Sequence, residues 1–223
     1  VISCSFGYNA GVIKSDGTYK RECLAEYDAL KYFEATKNNP VLDGGVAIFA
    51  AGNDATNYSA YPGALSDVIS VSSFGPDYLP AYYTNYGPGC NIAAPGGEAY
   101  LNPWTSMKGM VLSTLPSELN DGSDYGYMQG TSMACPHVSG IAALGLSYAK
   151  KLGKTFTLSE FKNLLLAAAN DMDPRIASGK KDYNRSAKVQ SIPMSSYRHK
   201  MGTGSIDTWK FMMNIEGIPC LIA

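Results

Sequence analysis

One short stretch of the sequence places a serine where its hydroxyl has catalytic potential. Residues 130–140 read GTSMACPHVSG, so that small residues surround Ser132 at the start of an apolar segment typical of a helix. Free backbone N–H groups and the positive end of the helix dipole meet at such a position and stabilise developing negative charge. Ser132 is therefore a candidate nucleophile for acyl transfer. A lone serine before a helix usually serves only as a cap, so the assignment depends on its companions.

Two other chemistries are open to the same stretch. Cys135 and His137 supply a thiol and an imidazole, but residues two apart on a helix point to different sides. His137 also lies five residues after Ser132, more than one helical turn along, so it is poorly placed to act as its base. His199 is flanked by basic residues and is expected at the solvated surface. We therefore expect the general base of Ser132 to be neither of these histidines.

The element pattern places Ser132 in an α/β domain. An apolar strand at 1–5, an amphipathic helix at 21–37 and a second apolar strand at 45–51 predict a parallel βαβ unit. Further strands are predicted at 68–72, near 91–93 and at 110–113. Helices are predicted at 132–151 and from Thr157, where Glu160 completes a capping box. Residues 9–20 and 172–201 have no clear period and are expected to form surface loops.

Composition argues against several partners. The 223 residues carry 18 Lys and Arg against 19 Asp and Glu, a net charge of -1, so no surface for nucleic acid or anionic lipid is predicted. No apolar run reaches the roughly 18 residues that span a bilayer, so no membrane partner is expected. The five cysteines form no CxxC pair and no Cys/His cluster. We expect no zinc site, and most of the cysteines to be small buried residues.

Residues 130–140 resemble the nucleophile signature of the subtilisin-like serine proteases, the subtilases. Ala50-Ala51-Gly52-Asn53 is similar to the strand end that carries the family's oxyanion asparagine, and Ser5-Phe6-Gly7 stands where the family has a substrate-pairing strand. Connecting segments that resemble the family's follow in the same order, at 61–62, 67–71, 93–96 and 202–207. The resemblance spans nearly the whole chain and implies a three-layer α/β fold, a parallel sheet with helices on both faces.

The resemblance implies a serine endopeptidase that forms an acyl-enzyme on Ser132. The side-chain amide of Asn53 and the backbone N–H of Ser132 would donate hydrogen bonds to the oxyanion. The peptide or protein substrate is expected to contact Ser5, Phe6, Gly7, Ala50, Ala51, Gly52, Gly130 and Thr131. The small residues at 50–52 favour large apolar side chains before the scissile bond. Loops at 9–20 and 98–108 are longer than expected for compact bacterial subtilisins and are expected to flank the cleft.

The sequence departs from the family in one respect that bears on catalysis. The family's catalytic Asp and His motifs precede the strand that begins at Val1, and neither motif is found here. We therefore expect this chain to be the C-terminal part of one catalytic domain, incomplete alone, with residues 216–223 starting a following segment. Its own N-terminal catalytic segment would be its partner. The alternatives are a non-catalytic subtilase-like binding or scaffold module and a binding module unrelated to proteolysis.

Cofactor and location follow from the same resemblance. No cofactor is expected, and although calcium is common in the family, no acidic loop here has a convincing ligand spacing, so no residue is assigned to it. The implied location is extracellular or in the cell envelope, as for a secreted enzyme.

Overall fold

The computed structural model describes residues 1–103, 105–176, 180–185 and 188–218. Its central sheet has six strands, in the order β1 (Ile2–Cys4), β2 (Ala47–Ala50), β3 (Ile69–Phe74), β4 (Ile92–Pro95), β10 (Ser205–Ile206) and β7 (Ala169–Asn170). Neighbouring strands are parallel from β1 through β10, and β7 pairs antiparallel with β10. The parallel βαβ start of the sheet is therefore confirmed.

The register of the first strands determines where the site forms. Cys4 pairs with Phe49, and Ala50 pairs with Val71, so β1, β2 and β3 end at the same edge of the sheet. All four residues of β2 are buried, as expected for a parallel strand covered on both faces. The segments that follow β1 and β2 therefore emerge side by side, where open α/β sheets bind ligands.

Helices cover both faces of the sheet. On one face lie α3 (Thr131–Lys151), α4 (Leu158–Ala167) and α6 (Thr208–Glu216), which share a core with Ile48 and Val71. On the other face lie α1 (Asp16–Glu22) and α2 (Leu24–Ala35), which pack with Ala47 and Phe49. Alternate residues of β2 thus contribute to two separate cores. This arrangement is the predicted three-layer α/β fold.

The predicted helix at 21–37 and loop at 9–20 are both wrong in their boundaries. Two helices occupy this region, α1 and α2, and the chain breaks between them at Cys23, whose φ of -121° and ψ of 42° are not helical. The first helix begins five residues before the predicted start because Ser15 caps it, accepting a hydrogen bond from Thr18 N at 3.1 Å. Tyr19, placed in the loop by the sequence, is fully buried.

The other helix predictions are confirmed with small shifts. The helix predicted at 132–151 is α3, and the helix predicted from Thr157 is α4. Thr157 Oγ1 accepts from Glu160 N at 3.2 Å, while Glu160 Oε2 accepts from Thr157 N at 2.8 Å, which completes the capping box. Asp207 caps α6 and accepts from Lys210 N at 3.0 Å, at the turn predicted from residues 202–207.

The strand predicted at 110–113 does not join the central sheet. It is β5 (Val111–Thr114), which pairs antiparallel with β6 (Tyr125–Met128) in a separate hairpin. The sequence did not indicate β6. Most of its residues are exposed, so it lacks the alternation of apolar and polar residues that indicates a strand with one buried face. The end of β6 leads directly into Gly130 and α3.

The prediction of a surface loop at 172–201 is wrong. The segment contains α5 (Asp173–Ile176) and a hairpin of β8 (Lys180–Arg185) and β9 (Lys188–Pro193). A third core cluster includes five buried residues from this segment, namely Met172, Ile176, Met194, Tyr197 and Met201. Their irregular spacing within a polar sequence concealed them from any analysis of periodicity. This segment therefore contributes to the core next to β4.

Cysteine burial agrees with expectation for three residues. Cys4, Cys90 and Cys135 are buried, Cys23 is half-buried, and these four are free thiols. Cys220 and residues 219–223 of the predicted following segment lie outside the described residues. In the described part of the chain, no helix is long and apolar enough to cross a membrane.

Candidate active site

A cleft of about 230 Å³ opens at the carboxyl edge of the sheet. The chain leaving β1, the turn leaving β2 and the start of α3 converge on it. It brings together eight predicted site residues, Ser5, Phe6, Gly7, Ala50, Gly52, Asn53, Thr131 and Ser132. Ala51 and Gly130 are buried and do not line the cleft. Four lining residues were not predicted, namely Tyr8, Asn9, Asp54 and Ala60.

Ser132 is the second residue of α3 and is tied to the chain that follows β1. Its Oγ donates to the Ser5 carbonyl at 3.3 Å, and Ser5 Oγ donates to the Ser132 carbonyl at 2.8 Å. The second bond is available because Pro136, four residues further on, has no N–H to offer the Ser132 carbonyl. Pro136 is the sixth residue of the helix and lies beyond its first turn. Its effect is to free a carbonyl that Ser5 then occupies.

Asn53 is held against the start of α3 by Thr131. The Asn53 Oδ1 atom accepts from the backbone N of Thr131 at 2.9 Å and from its hydroxyl at 3.0 Å. The same hydroxyl accepts from the backbone N of Gly52 at 3.1 Å. Thr131 is fully buried, so one side chain joins the turn after β2 to the helix that carries Ser132.

These contacts leave two donors free beside the serine hydroxyl. Because Oδ1 of Asn53 accepts both bonds from Thr131, its Nδ2 is left to donate elsewhere, and it lies beside Gly130, 3.4 Å from the position of a Cβ on that residue. Within the described residues, neither this Nδ2 nor the backbone N–H of Ser132 has a hydrogen-bond partner. Gly130, at a φ of 148°, allows the chain to turn into α3 beside the Asn53 amide. The arrangement can therefore stabilise negative charge that develops on an oxygen near Ser132.

Neither histidine lies beside the Ser132 hydroxyl. His137 is exposed, and its Nδ1 pairs with the Met133 carbonyl at 2.7 Å, one turn back along α3. His199 is exposed and pairs with Asp173, the first residue of α5. In the described part of the chain, the only hydrogen-bond acceptor of Ser132 Oγ is the Ser5 carbonyl.

The thiol alternative is excluded by burial. Cys135 lies on the buried face of α3 and is completely buried, and its thiol donates to the Ile48 carbonyl at 3.4 Å. Burial raises the pKa of the Cys135 thiol, which disfavours the nucleophilic thiolate. His137, its proposed partner, is directed to solvent and to Met133.

The loop predicted at 98–108 contacts Gln129, the residue that precedes Gly130 and α3. Ala99 N donates to Gln129 Oε1 at 2.7 Å, and Gln129 Nε2 donates to the Tyr82 hydroxyl at 3.0 Å. The Tyr82 ring stacks on Tyr183 of β8, with centroids 4.7 Å apart. Gln129 immediately precedes Gly130, so this loop and the β8–β9 hairpin together support the approach to Ser132. The sequence did not single out any of these contacts.

A buried ion pair anchors the same loop. Lys181 Nζ pairs with Glu98 and with Asp77 Oδ2, the latter at 3.2 Å, and donates to the Pro80 carbonyl at 2.8 Å. The side chains of Lys181 and Glu98 are only 2% and 0% exposed. Burial raises the pKa of Glu98 from 4.5 to about 6, although the Lys181 ammonium opposes part of this shift.

This pKa predicts a pH dependence of stability. The native protein takes up a proton on Glu98 between pH 6 and 4.5 that the unfolded chain does not, so the free energy of unfolding falls as pH rises through this window. The shift corresponds to about 2 kcal/mol. We expect the difference in unfolding free energy between wild type and Glu98→Gln, measured by urea titration, to change by about 1.5 kcal/mol between pH 4.5 and 6.5, the part of the shift that falls in this window. The exposed control Glu118→Gln should show no such change, and a flat difference for Glu98→Gln would contradict the assignment.

Among the residues that the structure describes, no group of three or more His, Cys, Asp or Glu side chains is placed to hold a metal ion.

The parallel sheet between two helical layers, with a serine at a helix start beside a strand-end asparagine, defines a subtilisin-like protein. The chain belongs to the Subtilase family, peptidase S8, whose sequence model matches residues 1–193. It is 35% identical over 137 residues to an "Extracellular basic protease" of Dichelobacter nodosus, covering 61% of this chain and 21% of that protein. It is 36% identical over 120 residues to the "Major intracellular serine protease" of Bacillus subtilis (strain 168), covering 52% and 32%.

Solved structures give the same fold. A protease from Pseudoalteromonas arctica PAMC 21717 matches with a TM-score of 0.56 and 31% identity, over 78% of this chain and 43% of that one. The self-cleaved protease domain of PatA matches with a TM-score of 0.64 and 22% identity, over 98% of this chain and 62% of that one. The chain thus spans only 21% and 32% of the two curated relatives named above.

Proposed function

We propose that this chain belongs to a serine endopeptidase that cleaves peptide bonds through an acyl-enzyme on Ser132. The observation that carries the proposal is the pair of free donors, Asn53 Nδ2 and the Ser132 backbone N–H, beside the Ser132 hydroxyl. The matched relatives named as proteases support the same class. Acyl transfer needs both parts, a nucleophile and donors for the oxyanion, and the cleft contains both.

The proposed reaction begins when Ser132 Oγ turns from the Ser5 carbonyl and attacks the substrate carbonyl carbon. Its proton passes to a base, and the substrate oxygen becomes an oxyanion that accepts from Asn53 Nδ2 and Ser132 N–H. As the tetrahedral intermediate collapses and the peptide bond breaks, the base gives this proton to the leaving nitrogen, and the amine fragment is released. Water then hydrolyses the ester on Ser132 and restores the hydroxyl. These steps use side chains and backbone groups, so the proposal requires no cofactor.

The substrate would lie along the exposed chain that leaves β1. Ser5, Phe6 and Gly7 are all exposed, so an extended peptide can add to them as a further strand. Phe6, with a ring 66% exposed and packed edge-on against Phe49, offers an apolar contact. Ala50 and Ala60 line the cleft with small apolar groups, which leave room for a larger side chain. These features support a preference for large apolar side chains before the scissile bond.

A preceding segment of the parent protein would provide the base. In the described residues neither histidine reaches Ser132, and β1 at the sheet edge pairs only with β2. The helix α3, which packs against β1, exposes Gly140, where an added Cβ would meet open space, and Leu144, which is 51% exposed. We propose that the segment carrying Asp and His adds a strand to β1 and covers this part of α3.

The location of the parent protein is also part of the proposal. Several matched relatives are named as extracellular proteases, one of them from Dichelobacter nodosus and one from Xanthomonas campestris. One matched relative is named as intracellular. We propose secretion, following the larger group of names.

Removal of the Asn53 amide tests the proposal through turnover. In the parent protein, we expect Asn53→Ala to lower kcat by about 10²–10³-fold, because the lost donor stabilises the transition state; this is the range known for an oxyanion asparagine in a subtilisin. KM should change little, since the amide does not bind the ground state strongly. Steady-state kinetics on a peptide amide substrate give both quantities. An effect confined to KM would count against the oxyanion role.

A further inference from the structure

A buried asparagine outside the predicted site forms hydrogen bonds with the residues that flank Asn53. Asn85 lies in the chain between β3 and β4 and is fully buried. Its Nδ2 donates to the Ala51 carbonyl at 2.9 Å and to Asp54 Oδ2 at 3.2 Å. Its backbone N donates to the Gly52 carbonyl at 3.0 Å. Asn85 thus holds the residues on both sides of Asn53, without any contact to Asn53 itself.

The acceptor side of the same amide holds the rest of the turn. Asn85 Oδ1 accepts from Asp54 N at 2.9 Å and from Thr56 N at 3.3 Å. Between these two N–H groups lies Ala55, in the left-handed region at a φ of 54°. A non-glycine residue in this region is strained and persists only where its surroundings hold it. Asn85 supplies two of the bonds that do so.

Close packing makes the arrangement specific for an amide at position 85. A Cβ on Gly52, which has a φ of 104°, would stand 2.4 Å from Asn85 Nδ2. Only a glycine fits there while the amide is in place. The Asn85 side chain must donate on one side, to Ala51 and Asp54, and accept on the other, from Asp54 and Thr56. No single carboxylate or hydroxyl of the same size satisfies both sides.

We propose that Asn85 is a positioning residue for the oxyanion site, which aims the Asn53 amide by holding the turn at 51–56. The inference rests on the proposed function, because it assigns Asn85 a role only if Asn53 is an oxyanion donor. Asn53 itself is exposed, and its side chain is anchored on one side alone, by Thr131. The direction of its free Nδ2 therefore depends on where the backbone turn places it.

The first test compares turnover with substrate binding. In the parent protein, Asn85→Asp keeps the shape of the side chain but removes the donor and sets a carboxylate against that of Asp54. We expect kcat to fall by about 10²-fold, as for a misplaced catalytic group, with KM changed by less than about threefold. Asn85→Ser is the second variant, because its hydroxyl is too short to span the turn. It should likewise lower kcat with little change in KM. A normal kcat in either folded variant would overturn the proposal.

The second test asks whether Asn85 acts through Asn53. In the Asn53→Ala background no oxyanion amide remains to be aimed, so Asn85→Asp should lower kcat by no more than about threefold further. A residue with a merely structural role would lower kcat by the same factor in both backgrounds, and that result would overturn the proposal. An inactive wild-type parent would instead refute the proposed protease function, so the two failures are distinguishable.

A swap variant and a matched control complete the design. Asp54→Asn combined with Asn85→Asp exchanges donor and acceptor across the 3.2 Å contact, so we expect kcat to recover about tenfold relative to Asn85→Asp alone. No recovery would contradict the proposed contact. Asn214→Asp is the control, because Asn214 is a half-buried asparagine of α6 that donates to the Leu164 carbonyl at 3.0 Å. Its kcat should equal that of wild type.

Discussion

Replacement of Ser132 by alanine in the parent protein should lower kcat/KM for peptide hydrolysis by about 10⁴-fold or more, because it removes the atom that forms the acyl-enzyme. The fold should survive. Alanine favours the helix, and the lost contacts are one 3.3 Å hydrogen bond to Ser5 and no buried group. Thr131 and Asn53, which make the buried link between β2 and α3, are unchanged.

A fluorophosphonate probe separates loss of the nucleophile from loss of the fold. Wild type should be labelled on Ser132, and Ser132→Ala should not be labelled at all. Ser139→Ala is the matched control on the same helix, where Ser139 Oγ donates to the Cys135 carbonyl at 3.0 Å away from the cleft. It should be labelled at the wild-type rate. Labelling of Ser132→Ala at that rate would rule Ser132 out as the nucleophile.

The 223-residue chain alone should hydrolyse no peptide, and addition of the preceding segment of the parent protein should restore hydrolysis. The structure gives the reason, since Ser132 Oγ has only the Ser5 carbonyl as an acceptor in the described part of the chain. A positioned general base contributes about 10²–10⁴-fold, and the segment is also proposed to add a strand beside β1. Mixing the purified segment with this chain, and following hydrolysis together with size by light scattering, measures both effects.

The part of α3 that the segment is proposed to cover provides a control for this experiment. Leu144→Lys places a charge on the exposed part of α3 that the segment is proposed to cover, so it should weaken recovery of activity at a fixed segment concentration. Leu119→Lys changes a leucine that is 85% exposed on the loop between β5 and β6, and it should leave recovery unchanged. Robust hydrolysis by the monomeric chain without the segment would refute this account and would require another base.

The Ser132 region shows how a local motif acquires long-range support. Ser5 and Ser132 are separated by 127 residues in sequence, yet each bonds to the other's carbonyl. Pro136 makes this possible by withholding the N–H that would otherwise close the helix around the Ser132 carbonyl. Pro136 therefore contributes by omitting one hydrogen bond of the helix, which leaves the Ser132 carbonyl free to accept from Ser5.

Features with a local cause were predictable from the sequence alone. The start of α3, the capping box of α4 and the buried strand β2 depend on residues within one or two turns or on a continuous apolar run. The grouping of Ser5 and Asn53 at one edge of the sheet also followed, because parallel strands end at a common edge, while Ser132, at a helix start, was added to them only by the family resemblance. The resemblance of residues 130–140 to a known signature then gave each of these residues an expected role, which the experiments above test.

Only the tertiary structure showed what holds these residues in place. Asn85 and Lys181 are polar residues in segments without periodicity, and their partners Ala51 and Glu98 lie 34 and 83 positions away. The β5–β6 hairpin and the core residues of 172–201 were missed for a related reason, since exposed strands and irregularly spaced apolar residues leave no periodic pattern. A buried polar side chain is stable only where folding brings a partner to it, and such partners are chosen by the fold and not by neighbours in sequence.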